Sequence, residues 1–341
     1  MTEKYSGKTA IGLLSLIHMG VDFLCAFALY GRFIGRFADL FFVYNFCAFA
    51  LQMPLGMLLD SLTQRAEKKY VPSLLFTLSG ILLTAAGALF SPAVLGIGNA
   101  LFHVGGGVLT IREDDHSHFD GQGLGVFVAP GAVGLVVGML LKGKYFGVLW
   151  GAAAALMPLM FLLLYCLRKD LSTEAVEQKA DTDGLPAVLL LCFLVVTLRS
   201  FAGMAISFSW KQGTFLVLLS TFALACGKSA GGFLSHIFGM RKTVVVSLLL
   251  AAVFYIFGDH AVFGIPALFF FNMTMPLTLY LLAQKMPGAP GLAFGILTFA
   301  LFLGYLPVLS GLTGKLPPFP AGTLGSLMSL VLLLLACRRR S

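Results

Sequence analysis

Asp22, Arg199 and Lys228 each fall near the middle of an apolar stretch long enough to cross a lipid bilayer. An ionised side chain at that depth is expensive, and it marks a substrate or ion pathway. His18 stands four residues before Asp22, so a helix places both on one face, where they can share a hydrogen bond or a proton. Asn99 and His103 repeat that spacing. Asp22, His18 and His103 are therefore read as proton-coupling residues, because a carboxylate in a low-dielectric cavity exchanges its proton according to the charges that approach it. Arg199 and Lys228 provide a positive field suited to an anionic or zwitterionic small molecule. Asn99, Gln52 and Asn272 complete the expected substrate site as hydrogen-bonding groups. No residue pattern matches a nucleophile elbow, a phosphate loop or a zinc protease helix, and neither enzymatic activity nor a cofactor is expected.

The elements that position these residues are read from composition. Of 341 residues, 58% are hydrophobic and 11% charged, with 32 phenylalanines, a profile of polytopic membrane proteins. Twelve apolar runs of spanning length lie near 9–30, 37–59, 70–90, 92–112, 123–141, 145–167, 185–209, 213–237, 243–258, 261–284, 291–312 and 320–337. The first has no small-residue cleavage site and reads as a retained helix. With both termini cytoplasmic, most Lys and Arg of the loops lie on the cytoplasmic side, as the positive-inside rule requires. The net charge of +8 is thus a topology signal of a cell (plasma or inner) membrane protein and not a nucleic-acid footprint. The six cysteines lack metal-site spacing and read as small packing residues.

One long hydrophilic stretch, residues 168–184, separates six runs from six and reads as a solvated linker. The expected organisation is an N-terminal six-helix bundle (1–167), a cytoplasmic linker (168–184) and a C-terminal six-helix bundle (185–341). Landmarks recur 176 or 177 positions apart: Gly56 to Asp60 with Gly232 to His236, Pro130 and Gly134 with Pro307 and Gly311, Asp22 with Arg199, and Gln52 with Lys228. A constant displacement indicates two related halves.

In this arrangement Gly56, Leu58, Asp60 and Arg65 resemble the loop between the second and third helices of the major facilitator superfamily. Ser61 and Thr63 stand where that pattern has Arg and Gly. Gly232, Leu234, Gly239, Arg241 and Lys242 repeat it in the second half, with His236 in place of the acid. Gly125, Pro130 and Gly134 in the fifth run are similar to the superfamily's antiporter motif, and His18 with Asp22 to a His and Asp arrangement of fosmidomycin-resistance-like exporters. The resemblance covers nearly the whole chain. It implies two six-helix bundles around a central cavity lined by helices one, four, seven and ten, with Asp22 facing Arg199 either as a fixed ion pair or as a pair that protonation breaks. It also implies gating at the motifs around Asp60 and Arg241.

The expected function is therefore alternating-access secondary transport, with proton-coupled export of a small organic anion or amphiphile first and proton-coupled import of an organic anion second. A monomer acting on a small molecule, protons and the bilayer is expected. A divalent metal transporter using Asp22, His18, His103 and the acidic, His-containing stretch 113–120 remains an alternative, as does a membrane-embedded enzyme or sensor. Two intramembrane cations would repel a metal cargo.

Overall fold

A computed structural model describes residues 2–33, 37–116, 121–142, 146–167 and 183–338. The linker expected at 168–184 therefore lies almost wholly outside the described residues. Among the described residues, regular structure is helical apart from one isolated bridge. Its helices are α1 (Thr2–Arg32), α2 (Phe37–Asn45), α3 (Gln52–Arg65), α4 (Tyr70–Phe90), α5 (Pro92–His116), α6 (Gln122–Leu141) and α7 (Phe146–Leu167), then α8 (Leu185–Ala205), α9 (Gly213–Phe238), α10 (Met240–Ile256), α11 (Ala261–Asn272), α12 (Thr274–Lys285), α13 (Pro290–Leu309) and α14 (Pro318–Arg338). Among the described residues, eleven helical runs are long and apolar enough to cross a membrane. At 17 residues α10, the ninth expected run, is shorter than those eleven.

Two expected spans are interrupted. The second passes from α2 into α3 through a π-helical turn at Phe46–Ala50, an element that recurs at functional sites. The tenth is divided at Met273 into α11 and α12. Pro276 lies four residues after Asn272 and has no N–H to offer its carbonyl, which explains the break. The seventh run ends at Ala205, four residues early, because Ile206 and Ser207 turn extended and pair with Leu316. Gly311 lies beyond α13, at φ +71°.

Side chains such as Phe90, Phe161, Phe215 and Val262 are strongly exposed, as expected of helices that face lipid and not water. Association of such helices depends on close packing at small residues. α1 packs on α6 and α4 on α5, with Leu14, Ile17, Phe102 and Phe127 in the core. α8, α10, α11 and α14 enclose a second core around Val195, Leu248 and Phe271. The helices before and after the linker meet where α6 packs on α9 and α3 on α13. At both contacts glycines bring backbones together: a Cβ on Gly56 would strike the Gly291 carbonyl, and one on Gly232 the Gly121 carbonyl. These contacts close one end of the molecule, the end carrying residues 66–69, 121 and 286–289.

Candidate functional site

α1 presents His18 and Asp22 on one face, and α5 brings Asn99 and His103 to meet them. His18 Nε2 lies 3.2 Å from Asp22 Oδ2, and His103 Nε2 lies 3.8 Å from Asp22 Oδ1. The two Nε2 atoms are 2.9 Å apart. Each remaining ring nitrogen faces a carbonyl: His18 Nδ1 is 2.7 Å from Phe127 O, and His103 Nδ1 is 2.9 Å from Asn99 O. A carbonyl only accepts, so both Nδ1 atoms carry hydrogen. Two neutral rings would then aim lone pairs at each other, and the 2.9 Å contact is a hydrogen bond only when one Nε2 is also protonated. The contact places the two rings where a proton on either Nε2 can be shared between them, beside the Asp22 carboxylate. Asn99 Nδ2 donates to Asp22 Oδ1 at 3.1 Å and holds that carboxylate in place.

A close approach of α6 to α1 completes this cluster. A Cβ on Gly131 would collide with His18 Nε2 and Asp22 Oδ2, and one on Gly134 with the Met19 carbonyl. Phe102 and Phe127 flank the His18 ring, with centroids at 5.9 and 4.8 Å. Two imidazoles and a carboxylate are also a donor set for a divalent metal, and the three ligand atoms lie within 4.8 Å of one another. Tetrahedral zinc with bonds of roughly 2.0–2.1 Å would hold two nitrogens about 3.4 Å apart. The observed 2.9 Å is a hydrogen-bond distance.

Arg199 does not join this cluster, and the expected Asp22–Arg199 ion pair is absent among the described residues. Asp22 is held by His18, His103 and Asn99, whereas the Arg199 guanidinium lies 5.4 Å from the Phe271 ring. Arg199 is only 8% exposed, and its Nε has no hydrogen-bond partner. It lines a cavity of about 290 Å³ together with Lys211, Lys315, Tyr255, Phe271 and Asn272, and no described carboxylate contributes to the lining. The cavity lining includes Ser207, Phe208, Lys211 and Lys315, on the segments that follow α8 and α13. The single chamber expected from sequence is therefore two neighbouring sites, because Arg199 is turned toward α10 and α11 instead of across to α1. Lys228 connects them: its ammonium donates to the Val128 carbonyl at 3.3 Å and lies within Coulomb range of both Asp22 and Arg199.

Gln52 and Asn272 occupy different surroundings. Gln52 is 1% exposed; its amide donates to the Ala48 carbonyl within the π-helical turn, and Oε1 has no partner. Asn272 donates to Leu268 O at 2.8 Å while lining the Arg199 cavity.

Of the expected gating residues, Asp60 bridges the two halves. Its carboxylate accepts from Gly291 N at 2.9 Å and Leu292 N at 2.7 Å, the first amides of α13, where the helix dipole favours negative charge. Gly125 lies against the α9 backbone at Lys228, Ser229 and Gly232. Arg65, His236 and Arg241 are exposed at helix ends, and Gly239 turns the chain at φ +87°. The N-terminus of α6 is capped instead by Asp114, which accepts from Gly123 N at 2.8 Å and Leu124 N at 3.1 Å. Asp114 is thereby committed to a structural role. The His116 side chain and residues 117–120 of the suggested metal-binding stretch lie outside the described residues.

Sequence reasoning missed Lys211 and Lys315 as cavity residues. Gly131 carried a signal, since it follows Pro130 inside a glycine-rich run.

No protein-family model matches the sequence, and no curated protein matches it. Among solved structures, the chain is similar to the human organic anion transporter MFSD10 (TETRAN), at 16% identity and a TM-score of 0.67 over 98% of this chain and 99% of that one. It is similar also to a point variant of the E. coli fucose:proton symporter FucP, at 13% identity and a TM-score of 0.59 over 97% and 98% of the two chains. FucP in the outward conformation gives the same identity and TM-score over 98% and 99%. The chain thus has the fold of major facilitator superfamily transporters. These neighbours are transporters, not enzymes, and they lend no support to the drug-exporter subtype.

Proposed function

We propose that the protein is a secondary active transporter of twelve spanning helices in two six-helix bundles, 1–167 and 185–341, that moves an organic anion together with protons by alternating access. The observation that carries this reading is the 2.9 Å Nε2 contact of His18 and His103 beside Asp22, close to a cavity lined by cations alone among its charged groups. One site takes the proton and the other the anion, and Lys228 lies within electrostatic reach of both. With the termini cytoplasmic, the closed end faces the cytoplasm, and both sites belong to an outward-facing state.

Import with protons is the direction that this geometry supports best. A loaded proton pair and a receptive anion cavity occur together, as a symporter requires before it closes. An inside-negative potential opposes entry of one negative charge by about 2.3 kcal/mol per 100 mV, and one accompanying proton cancels that opposition. Export is the second reading and rests on the likeness of Gly125, Pro130 and Gly134 to the antiporter motif. Packing accounts for two of those residues, however, since Gly125 and Gly134 lie against α9 and α1.

Proteoliposomes test the proposal. An inward proton gradient is expected to drive accumulation of an organic anion, and a proton gradient of either sign that leaves anion flux unchanged would refute coupling. Efflux driven by inward protons would establish the exporter instead.

A further inference from the structure

We propose that the cavity around Arg199 is a preformed capture site for organic monoanions with an aromatic body, aryl carboxylates being the simplest case, and that residues after the linker suffice to build it. This rests on the anion-transport reading and specifies its substrate class and the half that binds it. Arg199 supplies the deep contact. A buried guanidinium with an unpartnered Nε is unsatisfied until an acceptor arrives, and a carboxylate fits its fork with two parallel hydrogen bonds. Phe271 covers the guanidinium, while Phe208 and Tyr255 form further aromatic wall. These surfaces suit a flat ring attached to the carboxylate and not a hydrated inorganic ion.

The mouth is built to attract such a ligand. Lys211 and Lys315 are exposed there, on the segments following α8 and α13. The two segments are tied to each other, with Ser207 N donating to Leu316 O and Leu316 N to Ala205 O, both at 2.9 Å. The Trp210 indole donates to Gly258 O at 2.8 Å and anchors the same rim. Exposed cations of this kind add little affinity but speed the arrival of an anion in a salt-dependent way. A volume of about 290 Å³ lies at the small end of ligand cavities, which suits an acid of one or two rings.

Trp210 allows a direct test, because the chain has only two tryptophans. The full-length Trp150→Phe variant in nanodiscs is titrated with 4-nitrobenzoate, a non-fluorescent quencher, and with neutral 4-nitrobenzamide; calorimetry repeats each titration. Saturable quenching by the acid is expected, with at least tenfold weaker binding of the amide and of sodium phosphate. Arg199→Gln should weaken the acid at least tenfold, and Arg199→Lys, which keeps the charge but loses the fork, by a smaller factor. Lys211→Gln with Lys315→Gln should slow association several-fold and flatten its salt dependence.

Equal affinity for acid and amide, phosphate binding as tight as the acid, or no saturable response by either method overturns the proposal. The acid and amide comparison needs no variant at Arg199, so poor folding of one cannot obscure the result. Normal binding in a protein that shows no proton-driven flux supports the capture site and removes only the coupling.

Discussion

His18 and His103 approach through Nε2 at 2.9 Å while the Nδ1 of each is engaged by a backbone carbonyl, so a proton on either Nε2 can be shared between the rings. Without that proton two lone pairs oppose each other, which favours separation of the rings. Since His18 is on α1 and His103 on α5, protonation is tied to how these helices sit against each other. That is the physical link proposed between proton movement and conformational change.

His103→Gln removes one partner of the shared proton while keeping a polar side chain of similar reach. Proton-driven accumulation is expected to fall at least tenfold while substrate counterflow continues. Parallel loss of both activities would assign His103 a structural role.

The arrangements on α1 and α5 were legible in the sequence, because a spacing of four places His18 beside Asp22 and Asn99 beside His103 whatever the rest of the chain does. That the two pairs would meet followed only from the resemblance to a known family. The separation of Arg199 from Asp22 was not legible: both lie at corresponding depths in spanning helices, and rotation about the helix axis decides which neighbour each one faces. Lys211 and Lys315 are remote in sequence and meet through two backbone hydrogen bonds between irregular segments, where side-chain periodicity carries no information. The interruption of α11 and α12 was foreshadowed by Pro276, whereas nothing in Phe46–Ala50 marks the π-helical turn.

Gly131→Ala places a methyl group where His18 Nε2 and Asp22 Oδ2 now lie. Overpacking of this kind costs about 1–3 kcal/mol, and it should lower the melting temperature and abolish proton coupling together. A variant that melts and couples like the parent would show that α6 is not pressed against the cluster.

Asp60→Asn keeps a hydrogen-bonding side chain but removes the negative charge at the start of α13. A charge at a helix terminus contributes about 0.3–2 kcal/mol, so the balance should move several-fold away from the state closed at the α3–α13 and α6–α9 contacts. In a cysteine-free background, a cysteine replacing Ser229 at the α6–α9 contact should react several-fold faster with a membrane-impermeant maleimide applied on that side. An unchanged rate would remove Asp60 as a latch.

The central claim is that one proton, held by His18 and His103 and balanced by Asp22, travels with each anion. Simultaneous measurement of proton and anion uptake into proteoliposomes, with the membrane potential clamped at zero and then made inside-negative, tests it most directly. The account predicts one proton per monoanion, a rate indifferent to potential, and loss of accumulation in Asp22→Asn with exchange retained. Anion accumulation without proton uptake, or normal accumulation by Asp22→Asn, would contradict it.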